Sequence, residues 1–162
     1  MALVPINGIS IDIDLPSGGE QKTQPFGSLY LVTPDVTLIP AEGEWTNAAG
    51  TYAEVNTKDF LVQGDKLIYD GIEPVHVHGA ASFTAETVAA YKTIEYGIGL
   101  NGSILQHAVM SRRHQSVDIG TGAIHYDTMM SKGDYVEFFV RNVIDGSNVR
   151  VINLYIFAMG MV

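Results

Sequence analysis

The stretch 149–159, VRVINLYIFAM, constrains the fold of this chain more than any other segment. Read as a strand, it carries Val149, Val151, Asn153, Tyr155, Phe157 and Met159 on one side, and Arg150, Ile152, Leu154, Ile156 and Ala158 on the other. Both sides are apolar, so both need cover. A second sheet supplies one cover, and something else has to supply the other. The segment before it, residues 134–142, alternates as well. Tyr135, Glu137, Phe139 and Arg141 share one side, and Val136, Phe138 and Val140 the other. Asp145-Gly146 lies between the two segments. That pair tolerates the positive φ of a type I′ turn, so the pattern predicts a closing hairpin.

The rest of the chain has the same character. Residues 73–84 place Val75, Val77, Gly79, Ala81 and Phe83 on one face, with His76, His78, Ala80 and Ser82 on the other. Residues 93–100 alternate and run into Asn101-Gly102, the strongest short hairpin signal, so 103–110 is expected to return antiparallel. Further short strands are expected at 28–33, 36–39, 51–56, 60–62, 66–69 and 122–130. Pro34 and Pro40 interrupt the first two of these, because proline inside a central strand forfeits a ladder hydrogen bond. The segments 84–92 and 111–122 read as loops. Seventeen glycines scattered among β-branched and aromatic residues agree with many turns. With 162 residues, enough for one well-cored domain, the expected fold is an all-β two-sheet jelly-roll sandwich.

Ahead of that domain, Ile9, Ile11, Ile13 and Leu15 alternate with Ser10, Asp12 and Asp14 as in a half-buried strand. A Pro-, Gly- and polar-rich segment follows. The expected organisation is therefore an N-terminal β arm at 1–16, a linker at 17–27 and a jelly-roll trimerisation domain at 28–162. The arm strand has two open readings: it packs back on its own domain, or it augments the sheet of a neighbouring protein. A formal charge of −9 opposes general binding to nucleic acid or to anionic membranes. The chain has no run of eighteen apolar residues and its start lacks the pattern of a secretory signal, so a soluble protein with no membrane partner is expected. The absence of cysteine excludes a disulfide framework and a thiolate metal site.

Several segments together resemble the globular heads of complement and tumour-necrosis-factor-like proteins. They are Ala81-Ser82-Phe83, Tyr96-Gly97-Ile98-Gly99-Leu100-Asn101-Gly102, the turn Lys132-Gly133-Asp134-Tyr135-Val136 and the closing Asn153-Leu154-Tyr155-Ile156-Phe157. The resemblance covers residues 28–162 and is clearer in the second half. It implies a ten-stranded jelly roll, first and last strands adjacent in one sheet, assembled as a homotrimer whose mates supply the second cover. Tyr135, Phe139, Tyr155 and Phe157 are then the expected trimer interface. Unlike the animal relatives, this chain shows no collagen-like stalk or membrane anchor. Domains of this kind also occur in phage structural proteins, which implies a non-enzymatic capsid decoration protein on the outer surface of a virion. Its partner would be the major capsid protein or another virion protein, gripped through Ile9, Ile11, Ile13 and Leu15. The alternative is the trimeric receptor- or glycan-binding head of a fibre.

Catalytic and cofactor motifs are absent from the sequence, and none is expected. His76 and His78 share a strand face and lack a visible third ligand, so no metal site is expected there. His107, His114 and His125 are scattered and read as structural or solvated. Asp12/Asp14 and Glu42/Glu44 lack the converging oxygens that calcium needs. Arg112, Arg113 and His114 form the one basic cluster and are read as a loop, either solvated or in contact with an acidic partner or glycan.

Overall fold

Alternation of apolar and polar residues is realised along most of the chain. The structure, a computed structural model, describes residues 5–6, 9–10, 23–115 and 118–161. In chain order the strands are β1 (Pro5–Ile6), β2 (Ile9–Ser10), β3 (Phe26–Pro34), β4 (Val36–Thr37), β5 (Thr46–Asn47), β6 (Gly50–Lys58) and β7 (Phe60–Gln63). They continue with β8 (Lys66–Tyr69), β9 (Val75–Thr87), β10 (Lys92–Leu100), β11 (Ser103–His114), β12 (Ile119–Met130), β13 (Tyr135–Asn142) and β14 (Val149–Met161). Two sheets form the sandwich. One runs β12-β9-β14-β3-β6 with β4 beside β14, and the other runs β11-β10-β13-β8-β7 with β5 beside β13. The first and last long strands are antiparallel neighbours, with Tyr155 opposite Tyr30 and Phe157 opposite Ser28.

The facing sides interlock. Leu29, Val77, Ala81, Phe83, Tyr126 and Ile156 from the β14 sheet meet Leu67, Ile94, Tyr96, Ile98, Val136 and Phe138 from the β13 sheet, all buried. Phe83 is the hinge of the packing, with ring centroids 4.4 Å from Tyr96 and 5.0 Å from Phe138, the range in which aromatic pairs attract beyond their area. Tyr126 lies across Gly79, where a Cβ would come within 2.2 Å of its ring. Its hydroxyl donates to the Phe157 carbonyl oxygen at 3.2 Å, and burial holds its pKa above the ordinary value.

Three expectations are corrected. The closing segment is not a hairpin: β13 pairs with β10, β8 and β5, whereas β14 pairs with β9, β3 and β4. Residues 143–148 cross between the sheets, and neither Asp145 nor Gly146 has the positive φ of a type I′ turn. The true type I′ signal is Asn101-Gly102, at φ 51° and 79°, which joins β10 to β11. Second, the two sides of β14 do not run through unbroken. Its register against β9 shifts between Val151 and Asn153, so Val149 and Val151 share the core side with Leu154, Ile156 and Ala158. A bulge of one residue exchanges the faces beyond it. Third, strands run where a loop was expected: β9 extends to Thr87, β11 to His114, and β12 begins at Ile119. The glycines that read as loop at 120 and 122 instead allow Arg112, Phe83 and Met110 to lie close against the strand.

At the arm, β1 and β2 pair antiparallel, Ile6 opposite Ile9. Ile11, Ile13 and Leu15 lie outside the described residues. The first strand of the sandwich begins at Phe26.

The crossover is tied by side chains. Buried Asn142 donates through Nδ2 to Asp145 Oδ1 at 2.9 Å and to the Ser147 carbonyl oxygen at 3.1 Å, while its Oδ1 accepts from the Ile144 amide at 3.0 Å. Asp145 also accepts from the Ser147 amide at 2.8 Å and forms an ion pair with Lys92. The Lys92 ammonium, followed by the Ser147 donors, lowers the Asp145 pKa from 3.8 to about 2. A lowered carboxyl pKa adds stability above the ordinary value, and that stability is lost as pH falls through the folded value. Between pH 3.8 and 2, Asp145→Asn is therefore expected to lose less stability than the native chain in denaturant titrations; equal slopes would refute the latch.

Candidate functional site

The two sheets treat their outward sides differently. On β13, Val136, Phe138 and Val140 face the core, so Tyr135, Glu137, Phe139 and Arg141 point away from the other sheet. That side is largely covered by the chain itself. Phe139 is buried over Gly99, where a Cβ would lie 2.5 Å from its ring. Arg141 stacks on Trp45 at 4.5 Å and its Nη2 pairs with Glu95 at 2.6 Å, while the Lys66 ammonium sits 4.1 Å from the Tyr135 ring.

The outward side of the β14 sheet is open among the described residues. Tyr155 and Met161 on β14 are 41% and 43% exposed, and Phe157 and Met159 between them are half-buried. On the flanking strands, Phe26, Tyr30, Val32 and Met129 are also exposed. The registers align these residues in rows. Met159 lies between Phe26 and His78, Tyr155 between Tyr30 and Ser82, and Met161 beside His76, which in turn faces Met129. Contiguous apolar faces of this kind are uncommon on monomeric soluble proteins. The four aromatics expected as one interface are thus divided. Tyr155 and Phe157 lie on the open face, and Tyr135 and Phe139 lie on the far side of the sandwich, because their strand belongs to the other sheet.

Arg112, Arg113 and His114 are corrected from loop to strand, at the end of β11. Their pairing with β10 places His114 fully inside, where Nε2 accepts from the Tyr96 hydroxyl at 3.1 Å and Nδ1 faces Asp118 Oδ1 at 3.3 Å. Burial raises the Tyr96 pKa, so the hydroxyl stays a donor. Arg112 closes the edge between the sheets, with Nη1 donating to the Thr121 carbonyl oxygen at 3.3 Å and a buried Nε without a partner. Of the three, only Arg113 stays exposed, and the segment is a strand rather than a loop.

A polar site that the sequence did not disclose lies behind Phe139. Asn47 Nδ2 donates to both Asp65 Oδ2 and Glu137 Oε1 at 2.8 Å, with the Lys66 ammonium 4.0 Å from Glu137. Glu137 is buried and its Oε2 has no partner. Burial, outweighing the Asn47 hydrogen bond, raises its pKa above 4.5.

No family model matches the chain, and no curated protein matches it. Among solved structures, murine APRIL at pH 5.0 superposes with a TM-score of 0.55 over 84% of this chain and 99% of that one, at 12% identity. The fold is a TNF-like jelly roll. At this identity the likeness concerns the fold alone. A second structure of murine APRIL, at pH 8.5, gives a TM-score of 0.46 at the same identity and coverage and adds nothing to that conclusion. The sheet that holds the first and last strands of this TNF-like domain is the one with the open face.

Two outcomes follow for the buried polar groups. His114→Ala strips a partner from the buried Tyr96 hydroxyl and is expected to cost about 2–4 kcal/mol in denaturant unfolding, against roughly ±0.5 kcal/mol for Arg113→Ala. A raised carboxyl pKa gives stability that is present below the ordinary value and lost as pH rises through the folded one. The native chain is therefore expected to lose stability relative to Glu137→Gln as pH rises above 4.5; a constant difference would show that Glu137 titrates normally.

Proposed function

We propose that this chain is a non-enzymatic homotrimer that coats the outer surface of a viral capsid, as a decoration protein anchored through its N-terminal arm. The observation that carries the trimer is the open face of the β14 sheet. Phe26, Tyr30, Tyr155, Phe157, Met159 and Met161 present an apolar surface on a regular, hydrogen-bonded sheet, a rigid platform for a heterologous contact that closes into a three-fold ring. Large aromatics dominate such interfaces. The charge of −9 keeps a dense array soluble and self-repelling outside its specific contacts.

Placement of the chain supports a basal anchor. Gly160 near the end of β14 donates to the Pro25 carbonyl oxygen at 2.8 Å, so the chain enters the domain from the arm at the end of the sandwich where β14 finishes. The crossover 143–148 and residues 88–91 lie at the opposite end, where β14 begins and β9 finishes. An arm leaving the base can engage a lattice while the far end faces outward. That far end also favours a second reading, a receptor- or glycan-binding head. Val88, Tyr91 and Ile144 are exposed there, and Tyr91, at 69% exposure and φ 58°, is held out by its backbone.

The native chain is expected to sediment at about three times 17.5 kDa, and Tyr155→Glu, which sets a charge in the middle of the face, at about 17.5 kDa with its circular dichroism unchanged. A native monomer would sink the trimer. Removal of residues 1–16 is expected to preserve the trimer and abolish binding to capsids; retained binding would disprove the anchor. Adsorption of the purified protein to host cells, lost in Tyr91→Ala, would favour the second reading.

A further inference from the structure

At the β12 edge of the open face, three side chains stand together that the proposed function does not use. β9 and β12 pair so that His78 is opposite Asp127 and His125 is opposite Ala80, which makes His78 and His125 diagonal neighbours on the same face. Their ring centroids are 5.8 Å apart, with 32° between the planes. His78 Nδ1 lies 2.9 Å from Asp127 Oδ1. The His78 and Asp127 side chains are 40% and 53% exposed, so the group is open to solvent.

We infer that His78 and His125 form a two-imidazole site for a divalent transition-metal ion of the zinc type, with Asp127 as the carboxylate that orients His78. The Asp127 contact draws the ring proton to Nδ1, which donates, and leaves the lone pair on Nε2. This is the arrangement by which ligating histidines are commonly fixed and made more basic. Zinc–nitrogen bonds are about 2.0–2.1 Å, which sets an ion roughly 3 Å from each ring centroid, so rings 5.8 Å apart can share one ion. An exposed ion pair alone would account for His78 and Asp127 and contribute little. It does not account for a second imidazole within sharing distance. Among the described residues no third His, Asp or Glu joins the pair, so the two imidazoles are the protein ligands and water fills the other positions, one protein ligand fewer than in the open sites of zinc enzymes. The acidic chain as a whole favours a cation at its surface.

The other histidines define the controls. His76 lies on the same face one pleat away, opposite Met129 and Met161. His107 Nε2 is 3.1 Å from the Asp127 carbonyl oxygen and is occupied by that contact. Titration calorimetry of the full chain with zinc chloride at neutral pH is expected to show one ion per chain, whatever the assembly state. His78→Ala and His125→Ala should each weaken binding by about tenfold or more, and Asp127→Asn by roughly ten- to a hundredfold. His76→Ala and His107→Ala should leave it unchanged. In nitrogen NMR of the native chain, His78 Nε2 and a His125 nitrogen should shift on adding zinc. The inference is overturned if the native chain gives no heat of binding, if His125→Ala binds as the native chain does, or if His76→Ala weakens binding as much as His78→Ala.

Discussion

The sandwich depends on β14 being hydrogen-bonded along both edges. Its thirteen residues meet β9 on one side along nearly their whole length, and β4 and then β3 on the other. No other strand in that sheet could be withdrawn with the same effect, because β14 is the seam between the β3–β6 and β9–β12 halves. The bulge near Ile152 is what makes the seam fit. Without the extra residue, Val149 and Val151 would leave the core when Leu154, Ile156 and Ala158 entered it. One residue out of pairing thus lets both ends of the strand bury their branched side chains.

The outward sides of the two sheets then part company. The β13 sheet carries a tryptophan and several paired charges on its outward side, with Phe139 buried and Glu137 in a partly satisfied polar site. The β14 sheet does nothing of the kind, and its aromatic and methionine residues stand exposed in register. An aromatic side chain can bury about 150–250 Å², so a few such residues amount to a surface that calls for a partner. Among the described residues, the domain covers one of its outward faces by itself and leaves the other open.

Much of this was legible in the residues. The alternation at 75–83 and 94–100, the Asn101-Gly102 turn and the doubly apolar closing strand gave the strands, one true hairpin and the two-sheet fold. Four features stayed hidden for physical reasons. Asp145-Gly146 is a permissive pair rather than an instruction, and buried Asn142 and Lys92 hold those residues in a crossover instead. A bulge leaves no mark in a run that is apolar on both sides, since either register looks equally good. Arg112 and His114 read as loop residues because their neighbours are polar, yet each has a partner on another strand, Thr121 of β12 for Arg112 and Tyr96 of β10 for His114. The proximity of His78 to His125 comes only from the β9–β12 register, which separates them by 47 positions in sequence.

The place of β14 in the sheet also bears on how the protein is made. Its partners on β3 were synthesised roughly 125 residues earlier, and those on β9 roughly 70 earlier, so its contacts are among the most remote in the chain. As the chain leaves the ribosome, β3 with β6 and β9 with β12 emerge as two separate half-sheets with unpaired edges facing a gap. Only the final strand fills it. Until then those edges are templates for the wrong neighbour, including another nascent copy, and the cell has to keep them apart for as long as translation lasts.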